Sequence, residues 1–98
     1  MMSAQQTVAR EMGVTHQELL RLLPRALEGL EYRVLADQIV VDEPGRALRI
    51  FYAQERERRI ATMRIPVTDL TFRFAGYSVS EVDQFMRKFD QSFFRGGG

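Results

Sequence analysis

The sequence predicts an α+β fold, a two-layer sandwich in the order helix, four-stranded antiparallel meander, helix (αββββα), with both helices on one face of the sheet. Three observations carry this prediction. Capping boxes at Thr15/Glu18 and Ser78/Glu81 open two apolar stripes of helical period near the ends of the chain. Between them, from Tyr32 to Phe74, the period falls to two and β-branched residues are frequent. Finally, 98 residues with 45% apolar and 28% charged content suit one globular core. The expected organisation is a flexible N-terminal arm over 1–13, a single α+β domain over 14–95 and a glycine tail over 96–98.

In the first helix, Thr15 accepts from the Glu18 amide and Glu18 reaches back, while Val14 and Leu19 form the hydrophobic staple. Leu19, Leu20, Leu22, Leu23, Ala26, Leu27 and Leu30 supply the core stripe. Pro24 lacks an amide hydrogen and should kink or end this helix, with Gly29 as the natural stop. The segment YRVLADQIVVDE reads as a strand that turns at Pro44-Gly45 into ALRIFYAQ. There Leu48, Ile50 and Tyr52 share one face and Arg49, Phe51 and Ala53 the other. The run ERERR, residues 55–59, reads as the solvated end of a hairpin, after which RIATMRI resumes a strand. Pro66 marks a turn, bulge or edge before DLTFRF, the fourth strand. Gly76 bends the chain out of the sheet into the second helix, with Tyr77 and Val82 as its staple and Val82, Phe85, Met86, Phe89 and Phe93 as its apolar stripe. Arg95 is a cation suited to the helix end and Gly96 a left-handed cap.

Fourteen basic and thirteen acidic side chains leave +1, too balanced for a committed nucleic-acid binder. Every basic residue but Lys88 is arginine. With no cysteine there is no disulfide, thiolate metal site or cysteine nucleophile, and no apolar run approaches a membrane span, so a cytoplasmic setting without a membrane partner is expected.

Recognisable catalytic parts are missing. His16 is the only histidine, and its position in the first helical turn favours a neutral ring. The carboxylate pairs Asp42-Glu43, Glu55-Glu57 and Glu81-Asp83 respectively precede a turn, lie in a charged hairpin and occupy a helix first turn, with no apolar setting to raise a pKa. Phosphate-cradling glycine motifs do not occur. A non-enzymatic domain without cofactor or metal is therefore expected.

The candidate sites are surfaces. Helices on one side leave the far face of the sheet open, with Arg49, Phe51, Arg64 and Arg73 as its expected interaction residues, joined by Val40 and Ile60. Aromatic rings and guanidinium groups are types enriched at protein interfaces, so an unidentified protein partner or a homodimer is the first reading. The second is a nucleic-acid or anionic-ligand module using those arginines with the hairpin residues Arg56, Arg58 and Arg59. Separately, the ending RGGG resembles that of ubiquitin-like modifiers and the small sulfur carriers of cofactor synthesis. Their terminal Gly-Gly fits the narrow channel of an activating enzyme, and a strand leads into it, where here an amphipathic helix does. That resemblance implies a third reading, a carrier activated at Gly98 with Gly97 and Gly98 as its handle.

Overall fold

The computed structural model describes residues 5–97, with side chains as far as Phe93. It shows a small α+β protein with six strands in an antiparallel sheet and two helices. In chain order these are β1 (Gln5–Met12), α1 (His16–Ala26), β2 (Tyr32–Val34), β3 (Gln38–Glu43), β4 (Arg46–Tyr52), β5 (Arg56–Ile60), β6 (Met63–Ala75) and α2 (Val79–Gly97). The sheet order is β1-β6-β4-β3-β2, and β5 pairs with the part of β6 that extends past β4.

Both helices start where the capping chemistry places them. The Thr15 hydroxyl accepts from the Glu18 amide at 3.1 Å, and the Thr15 amide donates to the Glu18 carboxylate at 2.9 Å. Ser78 and Glu81 repeat this at 3.1 and 2.8 Å. Helix α1 passes through Pro24 and ends at Ala26, and the chain then turns at Gly29, whose φ is 84°. Helix α2 continues through Gly96 to Gly97, so the expected left-handed cap at Gly96 is not formed. Expectations for the Phe94 and Arg95 side chains, and for Gly98, lie outside the described residues.

Six strands replace the expected four: one is added, one expected strand divides, and the last two are redrawn. Residues 5–12, expected in a flexible arm, form β1 and pair along β6 from Gln5↔Ala75 to Met12↔Thr68. Its inward residues are Gln6, Val8, Arg10 and Met12, and two of them are polar, which hides the apolar alternation. Those polar groups find partners in the other layer. Arg10 holds Asp90 on α2 at 3.1 Å, and Gln6 donates to the Tyr77 carbonyl at 2.8 Å.

Secondly, YRVLADQIVVDE is two strands, because the chain reverses over residues 35–37 and the Leu35 amide bonds to the Gln38 carbonyl at 2.7 Å. Thirdly, ERERR is strand rather than turn. The reversal occurs in two residues at Ala61–Thr62, and β6 then runs unbroken for 13 residues through Pro66. Alternation back from the tight turn, whose flanking Ile60–Met63 pair is the hydrogen-bonded kind, puts Pro66 and Glu57 in a non-bonded pair. The proline nitrogen therefore faces the edge where β1 has already ended.

The core lies on one face of the sheet. Ile39, Val41, Leu48, Ile50, Leu70, Phe72 and Phe74 meet Leu19, Leu23 and Leu27 of the α1 segment and Val82, Met86, Phe89 and Phe93 of α2 in a single buried cluster. Phe72 packs edge-on against Phe89 at 4.9 Å between centroids, and Phe74 against Phe85 at 5.5 Å. Truncating Phe72, Phe74 or Phe89, each fully buried, to alanine costs about 3–5 kcal/mol.

Two changes test this architecture. Removing residues 1–12 strips β6 of a neighbouring strand and Asp90 of its arginine, so the thermal midpoint should fall by well over about 5 °C, whereas a loose arm would leave it unchanged. Gly76 has φ 82°, and a Cβ there would lie 2.5 Å from the Gly45 carbonyl oxygen, whereas Gly29 faces open space. Gly76→Ala should therefore lose clearly more stability in urea titration than Gly29→Ala, which carries only the left-handed penalty of about 1–2 kcal/mol.

Candidate interaction face

With Leu70, Phe72 and Phe74 turned into the core, alternation turns Asp69, Thr71, Arg73 and Ala75 to the opposite side of β6. On β4 the same rule turns Ala47, Arg49 and Phe51 outward. Register then sets Arg49 directly opposite Arg73. Their cross-strand row continues through Val40 to Arg33 on one side and to Thr7 on the other. Arg49 and Arg73 are exposed, Phe51 is half-buried, and Val40 is buried between its arginine neighbours.

The Arg73 guanidinium lies over the Phe51 ring, 5.1 Å from its centroid, a cation–π contact that fixes the long side chain across the sheet. Beside it Ala47 and Ala75 leave a shallow depression of about 370 Å³, walled by Gln5, Arg49, Phe51 and Arg73. Small side chains form its floor and cationic ones its rim. Next to Phe51 across the strands, Gln38 has a buried side-chain oxygen without a hydrogen-bond partner among the described residues.

The acids of this face are already engaged. Glu11 and Asp69 face each other across β1 and β6, and Arg56 bridges them, at 2.8 Å to Asp69. Arg58 also pairs with Glu11. The bond to Arg56 is the main reason that both carboxyls sit below their ordinary range, and the same pairing raises Arg56. Asp42 is held by Arg33 at 3.2 Å. Among the described residues, Arg49 and Arg73 have no acidic partner.

The expected interaction set is thus brought together in part. Arg49, Phe51 and Arg73 are neighbours, but Arg64 lies beyond the main sheet on the β5–β6 hairpin, opposite Arg59 and, by alternation, on the other side from Arg73. Ile60 sits at the hairpin tip, away from Phe51. Of the three expected anion-binding residues of the hairpin, Arg56 and Arg58 are spent on Glu11 and Asp69, leaving Arg59. Gln5, Ala47 and Ala75 are missing from the sequence-based set. The period-two pattern of β4 and β6 carries the signal for the two alanines, whereas Gln5 joins the face only because β1 pairs with β6.

The residues weighed for catalysis have structural partners. His16 donates its backbone amide to Glu55 at 2.8 Å, its ring Nε2 meets the Ala53 carbonyl at 2.7 Å, and the ring packs edge-on to Tyr52 at 5.1 Å. These contacts fasten the start of α1 to the break between β4 and β5. Arg46 joins Glu43 at 3.3 Å and Glu81 at 2.9 Å while lying over the Tyr77 ring, which fastens the β3–β4 turn to the start of α2. Burial first, and then the Glu43 carboxylate, push the Tyr77 phenol up to about 12. Among the described residues no group of three His, Asp or Glu is placed to hold a metal ion, and no helix is long and apolar enough to cross a membrane.

No family model, curated protein or solved structure matches the chain.

The Arg56 cluster makes stability depend on pH. Lowered native pKa values mean that the unfolded chain takes up protons first, so the contribution is complete above the ordinary carboxylate values of 4.5 and 3.8 and is lost as pH falls through the lowered ones. Arg56→Met should be less stable than the parent at neutral pH, and urea midpoints should converge as the pH drops below about 4. A gap that persists unchanged in acid would assign the effect to packing of the arginine stem.

Proposed function

We propose that the protein is a binding module without catalytic activity, set in the cytoplasm, whose uncovered sheet face receives an acidic segment of another protein over Arg49 and Arg73. One observation carries this reading: two guanidinium groups stand opposite each other across neighbouring strands with no acidic partner among the described residues. Like charges directly opposite destabilise a sheet, so the pair is a local cost to the fold. A carboxylate bridging both arginines removes that repulsion and gains charge-assisted hydrogen bonds in the same step. The alanine floor leaves room for the incoming chain, and Phe51 offers an apolar wall beside it.

A second copy of this chain fits less well. A twofold pair closed over this row would set arginine against arginine, and the face's own acids, Glu11, Asp69 and Asp42, are already taken by Arg56, Arg58 and Arg33. Nucleic acid fits less well for related reasons. The Phe51 ring is occupied by Arg73, and the hairpin cations Arg56 and Arg58 are neutralised within the chain.

Titration with a glutamate-rich peptide at low salt, followed by amide NMR, tests the proposal. Shifts should concentrate on the 47–51 and 71–75 segments, and Arg49→Thr should weaken the peptide about tenfold, the size of one charged hydrogen bond. The same substitution relieves the arginine pair and should leave stability unchanged or raised by up to about 1 kcal/mol. Absence of shifts on these strands would sink the proposal, and so would a dimer by sedimentation that Phe51→Glu converts to monomer.

A further inference from the structure

A second surface lies at the other end of β6. Beyond the Met12↔Thr68 pair β1 ends, beyond Tyr52↔Leu70 β4 ends, and β5 with residues 63–67 of β6 runs on as a two-stranded ribbon. From Arg58 to Thr68 the chain has three arginines and no acid. The turn at Ala61–Thr62 makes Ile60 and Met63 the foremost cross-strand pair, and they are 52% and 62% exposed. One rung of about 3.4 Å back along the strands, and by alternation on the other face of the ribbon, stand Arg59 and Arg64. These two are exposed and have no acidic partner among the described residues. The turn also holds Ala61 at φ 55°, a left-handed conformation that a residue with a Cβ adopts only at a cost.

From this order of rungs we infer that the hairpin tip docks on an anionic phospholipid surface. Lipid and nucleic acid both offer phosphates, and the apolar pair in front of the basic pair distinguishes them. In a bilayer the apolar region lies beneath the phosphates, so an entering tip needs its apolar side chains foremost and its cations one layer behind. A nucleic acid carries its phosphates outermost, so an approaching tip would need its cations first. Arginine near an anionic surface strengthens attachment by about fivefold per residue, and a shallow insertion of two side chains needs that help to hold. Such a contact requires no membrane-spanning helix. It is also independent of the acidic-partner reading, since it uses neither Arg49 nor Arg73.

Co-sedimentation with vesicles made of equal parts phosphatidylcholine and phosphatidylglycerol, at low salt, tests the inference against vesicles of phosphatidylcholine alone. Attachment should occur on the anionic vesicles and fall at least about tenfold both in Ile60→Ser/Met63→Ser and in Arg59→Ala/Arg64→Ala. Circular dichroism and the thermal midpoint should be near the parent's, because the tip lies outside the buried cluster. If a variant unfolds, amide broadening of residues 58–65 in the parent on anionic bicelles decides instead. No attachment to anionic vesicles, attachment that survives both double variants, broadening elsewhere, or tighter binding of an oligonucleotide through the same arginines would each overturn it.

Discussion

The contact between Phe72 and Phe74 on β6 and Phe85 and Phe89 on α2 organises the rest of the molecule. Among the described residues strand β6 alone pairs with three others, β1, β4 and β5, so its register is passed to most of the sheet. The four rings fix that register. A slip of one residue would carry both β6 phenylalanines to the solvent side and lose several kcal/mol of burial for each. Because side chains alternate, the same contact determines what the outer face presents. With Phe72 and Phe74 held inward, Arg73 must point out, and pairing with β4 sets it beside Arg49.

Two sets of arginines have different physical roles. Arg10, Arg46 and Arg56 join segments far apart in the chain: β1 to α2, the β3–β4 turn to α2, and the hairpin to β1 and β6. Each presents a planar donor fork to one or two carboxylates, which a lysine could not replace. Arg49 with Arg73, and Arg59 with Arg64, are instead cross-strand pairs of like charge. Nothing in the packing requires them, and each destabilises its own rung. The proposed roles of the two surfaces rest on this contrast. Two separate places keep an unfavourable arrangement, one beside the half-buried Phe51 and one behind the exposed Ile60 and Met63, and a binding partner would cover each.

The placing of acids sharpens the contrast. Glu11 and Asp69 would repel each other across β1 and β6, yet Arg56 and Arg58 reach back from the hairpin to hold them. The hairpin is thereby anchored at its base, while its tip carries no acid at all. Likewise Arg33 and Asp42 satisfy each other at the far edge, so the uncompensated charge of the face is confined to its centre.

By itself the sequence determined what depends on neighbours a few residues apart. The Thr15/Glu18 and Ser78/Glu81 caps, the helical stripes they open, the alternation of β4 and the second half of β6, and so the α+β class with Arg49, Phe51 and Arg73 on a common side, all follow from local spacing. Tertiary structure alone decided the rest. Residues 5–12 become a strand because Arg10 and Gln6 find partners on and before α2, some 70 or more residues away, and no local period reveals that. The tight turn at Ala61–Thr62 lacks glycine, proline and asparagine, so only the pairing of ERERR with β6 marks it. Charge is the clearest case. The composition counts Arg49, Arg56 and Arg58 alike, and it took the fold to bring Glu11 to two of them and, among the described residues, no acid to the third.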